Sequence, residues 1–321
     1  MRAASVGNGQ PKRSSVSMDP EILLCADARY VQALVVALSS TLDNAPDGAH
    51  VTVVLDGYSA RDRAALERIA NRRPHIAVSF LDGDRFDLSG LAGIRHLTPA
   101  TYHRLFVDEI VPSASRVLFL DADLLVRHPL GPLFELDLEE NAVGAVRDMA
   151  IADQAHPWSD SPSKGDEPYF NAGVLVIDLD RWRELGVGRE AIALLRTQPM
   201  GNADQDALNS ALRDQWKELD PTWNVQGALL LLHEQPPHPW REEMRSRAEA
   251  LMSDPAIVHF SGIKPWRPFS HHPFTREWRR TLRRSGPVRL WPRHAELAAE
   301  TLAVRALEMV GARERRERRA A

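Results

Sequence analysis

An apolar run of four residues, Val117–Leu120, leads directly into the triplet Asp121-Ala122-Asp123. A run this apolar, with no polar alternation, is typical of a strand buried on both faces of an α/β sheet. On an extended chain residues i and i+2 project to the same side, so both carboxylates can reach one cation while Ala122 stays small beneath a ligand. An isolated triplet of this kind is more often a solvated acidic loop. The motifs elsewhere in the chain therefore decide between a cation site and a loop.

Strand and helix patterns alternate along the chain. Apolar residues recur at helical spacing over Arg29–Leu42, and Ser59-Ala60-Arg61-Asp62 opens another helix like a capping box. The predicted strands are Glu21–Ala26, His50–Leu55, His75–Leu81, Arg116–Leu120, Ala142–Val146 and Gly173–Asp178, and further helices are predicted at Thr101–Ile110, Asp180–Leu185 and Asp204–Arg213. This order predicts an α/β fold with a mostly parallel sheet, in which ligands bind at the carboxyl ends of the strands.

Length and composition exclude disorder of the whole chain. Its 321 residues are 44% hydrophobic and 26% charged, which suffices for one large α/β core or two modest ones. The single cysteine, Cys25, follows an apolar segment and is predicted to be a buried thiol in a reducing compartment. We find no apolar stretch long enough to cross a bilayer and no hydrophobic signal segment, which favours a cytoplasmic protein. Residues 1–20 are predicted to be disordered.

Charge is unevenly distributed. Residues 276–321 hold thirteen Arg and six Glu, a net charge of +7, so with −4 for the whole chain residues 1–275 carry −11. This predicts a folded domain at 21–275 and a basic helical extension at 276–321. The extension, with Trp278 and Trp291, is either a peripheral contact to the anionic inner face of a membrane or a solvated helical tail. Nucleic acid is not expected as a partner, because the acidic body would repel a duplex.

Six groups of residues resemble glycosyltransferase family 8, the retaining enzymes of GT-A fold that include lipopolysaccharide galactosyl- and glucosyltransferases and glycogenin. They are Cys25-Ala-Asp-Ala-Arg-Tyr30; Arg95-His96 with Thr101-Tyr-His-Arg-Leu105; Leu118-Phe-Leu-Asp-Ala-Asp-Leu-Leu125; Tyr169-Phe-Asn-Ala-Gly-Val-Leu-Val-Ile-Asp178 with Arg181-Trp182; Asp204-Gln-Asp-Ala-Leu-Asn209; and His259-Phe-Ser-Gly-Ile-Lys-Pro-Trp266. They occur in family order and span residues 21–266. The resemblance implies a GT-A fold, which is a Rossmann-like, mostly parallel mixed sheet flanked by helices.

The resemblance implies a divalent metal ion held by Asp121, Asp123 and His259. A nucleoside diphosphate leaves a sugar only if its developing charge is stabilised, and a divalent ion does this as a Lewis acid. Two carboxylates and one imidazole suit Mn²⁺ or Mg²⁺ better than Zn²⁺, which prefers nitrogen and sulfur ligands. The expected cofactor is therefore Mn²⁺, or Mg²⁺, with a UDP-hexose as the donor.

Further donor contacts are implied at the nucleotide end. Ala26, Asp27 and Tyr30 resemble the uracil and ribose contacts, and Ala122 lies within the acidic triplet. Asp27 can equally be the N-cap of the helix that follows it. Gly262 and Lys264 resemble the diphosphate contacts, although the family usually has two residues between this Gly and Lys and the present chain has one. Only four lysines occur in the chain, which favours a specific role for Lys264.

The remaining roles concern the phosphates and the sugar. His96 and Arg104 resemble the pair that closes on donor phosphate and sugar hydroxyls, and the alternative for Arg104 is a surface ion pair with Asp108 four residues later. Asp204 is implied to accept hydrogen bonds from sugar hydroxyls, and Asn171, a buried amide that needs partners, is counted among the donor contacts.

The predicted catalytic residues are Gln205, Asp204 and Asp148. The resemblance implies that Gln205 lies beneath the anomeric carbon, opposite the leaving group. A neutral amide is a poor nucleophile, which favours displacement on the same face over a covalent intermediate. Asp148 is implied to face the sugar or the acceptor.

The function predicted from these residues is retaining transfer of glucose or galactose from a UDP-sugar to a hydroxyl acceptor, a saccharide or glycolipid of the cell envelope. A sugar nucleotidyltransferase is an alternative, but it would need a Gly-rich loop after the first strand, and Cys25–Tyr30 contains no Gly. The third class is a non-catalytic protein that binds sugar nucleotides. The presence of the acidic triplet, Gln205 and His259 argues against this class.

Overall fold

The computed structural model describes residues 20–91, 99–150, 168–198, 200–234, 239–267 and 270–285. The strands are β1 (Glu21–Asp27), β2 (His50–Asp56), β3 (Ala77–Asp82), β4 (Arg116–Asp121), β5 (Leu124–Val126), β6 (Val143–Arg147), β7 (Phe170–Asp178), β8 (Trp216–Glu218), β9 (Val225–Gln226) and β10 (Ile257–His259). The helices are α1 (Val31–Asn44), α2 (Ala60–Ala70), α3 (Val107–Ile110), α4 (Gly131–Phe134), α5 (Leu179–Leu185), α6 (Val187–Thr197), α7 (Ala203–Ala211), α8 (Pro239–Ser253) and α9 (Thr275–Ser285).

The strands form a large sheet and a small one. The order in the large sheet is β3-β2-β1-β4-β7-β6-β8, and the order in the small sheet is β5-β10-β9. In the large sheet β7 alone runs against its neighbours, pairing antiparallel with both β4 and β6, while the other pairs are parallel. The mostly parallel mixed sheet predicted from the sequence is confirmed.

Most predicted elements occur with shifted ends. Strand β7 begins at Phe170, three residues before the predicted start, because Phe170 pairs with Arg147 of β6. Ser59 caps α2 as predicted, accepting a hydrogen bond from the backbone nitrogen of Asp62. The elements that the sequence patterns did not predict are β5, β8, β9, β10, α4, α6 and α8. The four strands among them have three residues or fewer, too few to show a period.

The large sheet is covered on both faces, and alternate residues of each central strand enter different cores. In β1, Ile22 and Leu24 belong to the core that includes α1, whereas Leu23 and Cys25 belong to the core on the opposite face. This follows from the two-residue period of a strand. Cys25 is buried, as predicted, and burial raises the pKa of its thiol.

Strand register brings the polar motifs to one rim. Cys25 of β1 lies beside Asp121 of β4, so Asp27 and the acidic triplet emerge at the same edge. Because β7 runs antiparallel to β4, with Val174 beside Leu120, the residues at the start of β7 reach this edge as well. Carboxyl ends of the parallel strands and the amino end of β7 thus converge.

The small sheet carries His259 to the same rim. After the acidic triplet the chain enters β5, which pairs antiparallel with β10 so that Leu124 faces His259. The backbone nitrogen of Phe260 donates to the carbonyl of Asp123 at 3.0 Å. The pairing of β5 with β10 therefore brings the acidic triplet and His259 together, although they lie more than a hundred residues apart in the sequence.

Helix α9 packs against the rest of the folded domain and places its tryptophan, Trp278, in a hydrophobic core. Trp278 is 1% exposed and belongs to a core with Val36 of α1, Phe260 and Phe274. The tryptophan that the sequence suggested for a membrane interface is therefore an internal side chain. The predicted boundary between 275 and 276 stays a prediction, and residues 286–321 lie outside the described ranges. No described helix combines the length and apolar composition that a bilayer span requires.

We expect Trp278→Ala to lower the free energy of unfolding by about 3–5 kcal/mol, because it removes a large buried side chain. Arg279→Ala, on the exposed side of α9, should change it by no more than about 0.5 kcal/mol. Urea unfolding followed by circular dichroism measures both. Equal stability of the two variants would contradict the packing of α9 on the body.

Candidate active site

Asp121, Asp123 and His259 form a compact group at the rim. Their candidate ligand atoms all lie within 4.8 Å of one another. His259 Nε2 is 3.3 Å from Asp123 Oδ1 and 3.8 Å from Asp121 Oδ2. Two hard oxygen donors and one imidazole are the kind of ligand set that suits Mn²⁺ or Mg²⁺. The predicted metal ligands are therefore brought together.

Gly173 leaves room for this group. A Cβ atom at this position would lie 2.8 Å from His259 Nδ1 and 2.9 Å from Asp121 Oδ2, both closer than van der Waals contact. The backbone of β7 thus forms a floor under the imidazole and the first carboxylate, and only glycine fits there. Close packing of this kind limits the movement of the imidazole and the carboxylate.

Arg104 is buried between two carboxylates. Its Nη2 donates to Asp121 Oδ1 at 2.7 Å, and its Nε lies 2.7 Å from Asp204 Oδ2. The guanidinium also stacks over the ring of Phe119, 4.6 Å from the centroid. The alternative of a surface pair with Asp108 is wrong, because Arg104 is 7% exposed and turned toward the rim. Burial raises the pKa of Asp204, and the nearby Arg104 offsets part of that rise.

Lys264 contacts Asp123 directly through its ammonium group. Although burial raises the pKa of Asp123, Lys264 and His259 lower it more, so this pKa lies below its usual range. The turn before Lys264 depends on Gly262, whose φ of +93° favours glycine. The predicted contact of Lys264 with a diphosphate stays a prediction.

Two cavities adjoin the metal-ligand group. The smaller, of about 160 Å³, is lined by Ala26, Asp27, Tyr30, Ala122 and Lys264 among others. The larger, of about 430 Å³, is lined by Asp148, Asn171, Asp204, Gln205 and Gly262 among others. Thr101, Arg104 and Asp121 line both cavities. The predicted nucleotide contacts and the predicted sugar contacts thus fall into two neighbouring spaces.

Asp27 caps the helical turn that follows it, so the predicted N-cap role is confirmed. Its side chain accepts a hydrogen bond from the backbone nitrogen of Arg29 at 2.7 Å. The cap is compatible with a nucleotide contact, because Asp27 also lines the smaller cavity. His96 lies outside the described residues, so its predicted role stays a prediction.

Gln205 and Asp148 belong to one hydrogen-bonded group. Gln205 Oε1 accepts from the backbone nitrogen of Ala172 at 3.0 Å, and its Nε2 donates to Asp148 Oδ2 at 3.1 Å. Asn171 Nδ2 donates to the same Asp148 oxygen at 2.9 Å. The amide of Gln205 is therefore oriented at both ends by the protein.

Several supporting residues were not predicted from the sequence. Gln226 accepts from the backbone nitrogen of Met149 and donates to the carbonyl of Arg147, and thereby clamps the chain on both sides of Asp148. Asn224 contacts the imidazole of His259 at 3.0 Å. Polar residues two apart in Asn224-Val-Gln226, just before an apolar run, are a signal that could have indicated buried hydrogen bonds.

The start of α7 is fixed by hydrogen bonds of Asp206 and has an unusual backbone conformation at Ala203. Asp206 accepts from the hydroxyl of Tyr169 at 2.6 Å and from the backbone nitrogen of Asn202 at 2.6 Å. Ala203 has a φ of +48°, a left-handed conformation that is uncommon for a residue with a Cβ. Backbone strain of this kind tends to occur at functional sites, and here it directly precedes Asp204 and Gln205.

Comparison with known proteins identifies the family. Residues 21–269 match glycosyl transferase family 8, and the chain belongs to this family. General stress protein A of Bacillus subtilis is 30% identical over 265 residues, covering 80% of this chain and 91% of that protein. Lipopolysaccharide 1,3-galactosyltransferase of Salmonella typhimurium is 26% identical over 261 residues, covering 77% of this chain and 73% of that protein.

Solved structures agree with this assignment. A crystal structure of the galactosyltransferase LgtC in complex with donor and acceptor sugar analogs has a TM-score of 0.67 and is 27% identical, covering 85% of this chain and 99% of LgtC. The GT-A fold predicted from the sequence is confirmed. Family membership places the chain among the glycosyltransferases.

If the predicted metal site binds Mn²⁺, we expect Gly173→Ala to weaken that binding by roughly tenfold or more, because the added methyl group displaces the imidazole of His259, a predicted ligand. Titration of free Mn²⁺ by electron paramagnetic resonance measures the affinity. Gly144→Ala is the matched control: Gly144 lies on β6, and the atoms nearest to a Cβ there are the side-chain ends of Leu138 and Leu219. Similar Mn²⁺ affinity in both variants would contradict the role of Gly173.

Proposed function

We propose that this protein transfers a hexose, glucose or galactose, from a UDP-sugar to a hydroxyl group of a saccharide or glycolipid of the cell envelope. The configuration at the anomeric carbon is retained. Asp121, Asp123 and His259 hold Mn²⁺, or Mg²⁺. The name of the lipopolysaccharide galactosyltransferase among the relatives supports a hexose donor and an envelope acceptor.

One observation carries the proposal: Asp121 lies on the wall shared by two cavities of unequal size. A UDP-sugar has two bulky ends joined by a diphosphate, and it fits a site with two spaces and a cation at their junction. The uridine end fits the smaller cavity beside Ala26, Asp27 and Tyr30. The hexose and the acceptor fit the larger cavity beside Asp204 and Gln205.

Stabilisation of the leaving diphosphate is the main chemical task in this site. The divalent ion, when bound, supplies Lewis-acid stabilisation of the departing charge. Arg104 keeps a buried positive charge beside Asp121, and it fixes this carboxylate and Asp204 relative to each other. Such preorganised charges need no rearrangement as the bond breaks, which is why they lower the barrier.

The sugar end of the site presents oriented polar groups. Asp204 accepts a hydrogen bond from Thr101 Oγ1 at 3.0 Å, and its carboxylate is suited to binding sugar hydroxyls. Gln205 offers a neutral amide held at both ends. A neutral amide stabilises positive charge at an anomeric carbon without forming a bond to it, which is consistent with displacement on the same face and retention. Asp148, linked to this amide, adds negative charge nearby.

We expect the protein to hydrolyse or transfer from UDP-glucose or UDP-galactose when Mn²⁺ is present, and Asp123→Asn to lower turnover by roughly 10²-fold or more. Asp180→Asn, an exposed acid on α5, is the surface control and should leave turnover unchanged. Calorimetric binding of a panel of nucleotide sugars identifies the donor. Near-normal turnover of Asp123→Asn would contradict the metal site. Tight binding of a nucleotide sugar whose base is not uracil, with no binding of a UDP-sugar, would contradict the proposed donor.

We also propose peripheral attachment to the inner face of the cytoplasmic membrane through α9. Arg276, Arg279, Arg280, Arg283 and Arg284 are all exposed on this helix, whereas its tryptophan is internal. The attraction is therefore electrostatic, at about 1 kcal/mol per arginine near an anionic surface. Such a location suits a glycolipid acceptor.

The double variant Arg279→Glu/Arg283→Glu should reduce co-sedimentation with vesicles that contain phosphatidylglycerol by at least about tenfold, given the contribution of each arginine. The matched control is Arg61→Glu/Arg68→Glu, which changes the net charge equally at exposed positions of α2. Truncation before Trp278 is unsuitable, since it removes part of the core. Equal binding of both double variants would contradict attachment through α9.

A further inference from the structure

We propose that Asn224 is a positioning residue that fixes His259 in the tautomer whose Nε2 lone pair faces Asp121 and Asp123, and that Asp148 sets the orientation of Asn224 through Asn171. The inference rests on the proposed function, because it treats His259 as a metal ligand. It adds to that function a directional chain of hydrogen bonds between the catalytic carboxylate and the metal-binding imidazole.

The chain is continuous and buried. Asp148 Oδ2 accepts from Asn171 Nδ2 at 2.9 Å, Asn171 Oδ1 accepts from Asn224 Nδ2 at 2.9 Å, and Asn224 Oδ1 lies 3.0 Å from His259 Nδ1. Asn224 is fully buried, and the other three are 4–6% exposed. Buried polar groups of this kind need the partners that they have.

The direction of the first amide is fixed from two sides. A carboxylate accepts hydrogen bonds and donates none, so the group of Asn171 that faces Asp148 is its NH₂. The backbone nitrogen of Gly173, which can only donate, lies 3.0 Å from the other end of the amide. That end is therefore the carbonyl oxygen. Asn171 cannot flip without losing both contacts.

The second amide follows from the first. Because Asn171 Oδ1 accepts, the group of Asn224 that faces it is the NH₂. Asn224 then turns its carbonyl oxygen toward His259. A carbonyl oxygen only accepts, so His259 Nδ1 carries the proton.

The remaining imidazole nitrogen, Nε2, is thereby left as the one that can bind an ion, and the neutral ring is the form that does so. In the neutral ring with a proton on Nδ1, Nε2 carries a lone pair. This lone pair faces oxygens of Asp123 and Asp121 at 3.3 and 3.8 Å. Arg104 and Lys264 already pair with the two carboxylates, and the lone pair of Nε2 adds a third ligand atom directed at the place where a divalent ion would lie. Partners of this type orient metal-binding histidines generally.

The same Asp148 oxygen also accepts from Gln205 Nε2. One carboxylate thus orients the amide beneath the sugar and, three contacts away, the imidazole at the metal. The position of Gln205 relative to the metal is therefore set by a shared anchor.

The experiment measures the affinity for Mn²⁺ alone, without nucleotide, by electron paramagnetic resonance. Asn224→Leu keeps the volume and removes the acceptor, and we expect it to weaken Mn²⁺ binding by roughly 10- to 100-fold. Asn224→Asp keeps an acceptor for His259 Nδ1 but sets a second acceptor against Asn171 Oδ1, so it should bind Mn²⁺ more tightly than Asn224→Leu and more weakly than the wild-type protein. Asn209→Leu is the matched control, because Asn209 is a buried amide that bonds Phe170 and Gln205 but not His259. It should retain the wild-type affinity even where stability falls.

Long-range nitrogen–proton correlation spectra of the wild-type protein report the tautomer independently of any variant. The expected spectrum shows a proton on His259 Nδ1. A proton on Nε2 alone, or undiminished Mn²⁺ affinity in Asn224→Leu, would overturn the inference. Absence of Mn²⁺ binding by the wild-type protein, with Nδ1 still protonated, would instead overturn the metal in the proposed function and leave the orienting role of Asn224 standing.

Discussion

Two carboxylates at the end of one buried strand are the constraint on which the rest of the rim depends. Asp121 and Asp123 repel each other, and partial burial removes water that would screen them, so each needs a positive partner. Arg104 supplies one for Asp121 and Lys264 supplies the other for Asp123. The imidazole of His259 closes the group on the remaining side. The positions of these partners determine where the sheet, the short strands and the turns must bring the chain.

The reversed strand β7 makes this arrangement compatible with a compact core. Its first residues supply an amide and a glycine beside the acidic triplet, while its later residues fill both hydrophobic cores. A parallel strand at this place would bring its last residues to the rim instead of its first. The chain thus places polar groups of the proposed sugar site next to the proposed metal site without a long connecting loop.

Much of the fold could be predicted from the sequence, because central strands such as Val117–Leu120 and helices such as Arg29–Leu42 carry a clear period. His259 could be assigned only through a family resemblance, since strands of three residues bring it to the acidic triplet. Asn224 and Gln226 escaped prediction because a buried amide looks like a loop residue until its partners are known. Trp278 was misleading for another reason: an Arg-rich amphipathic helix has the same pattern whether its apolar face meets lipid or a protein core.

The burial of Cys25 has a practical consequence for spectroscopy. The chain contains no other cysteine, and the raised pKa of this thiol keeps it in the unreactive protonated form. A cysteine introduced at an exposed position such as Leu185, which is 41% exposed, would react with a maleimide dye far faster than the native thiol. Fluorophores can therefore be attached at chosen surface positions while the native strand β1 is left intact.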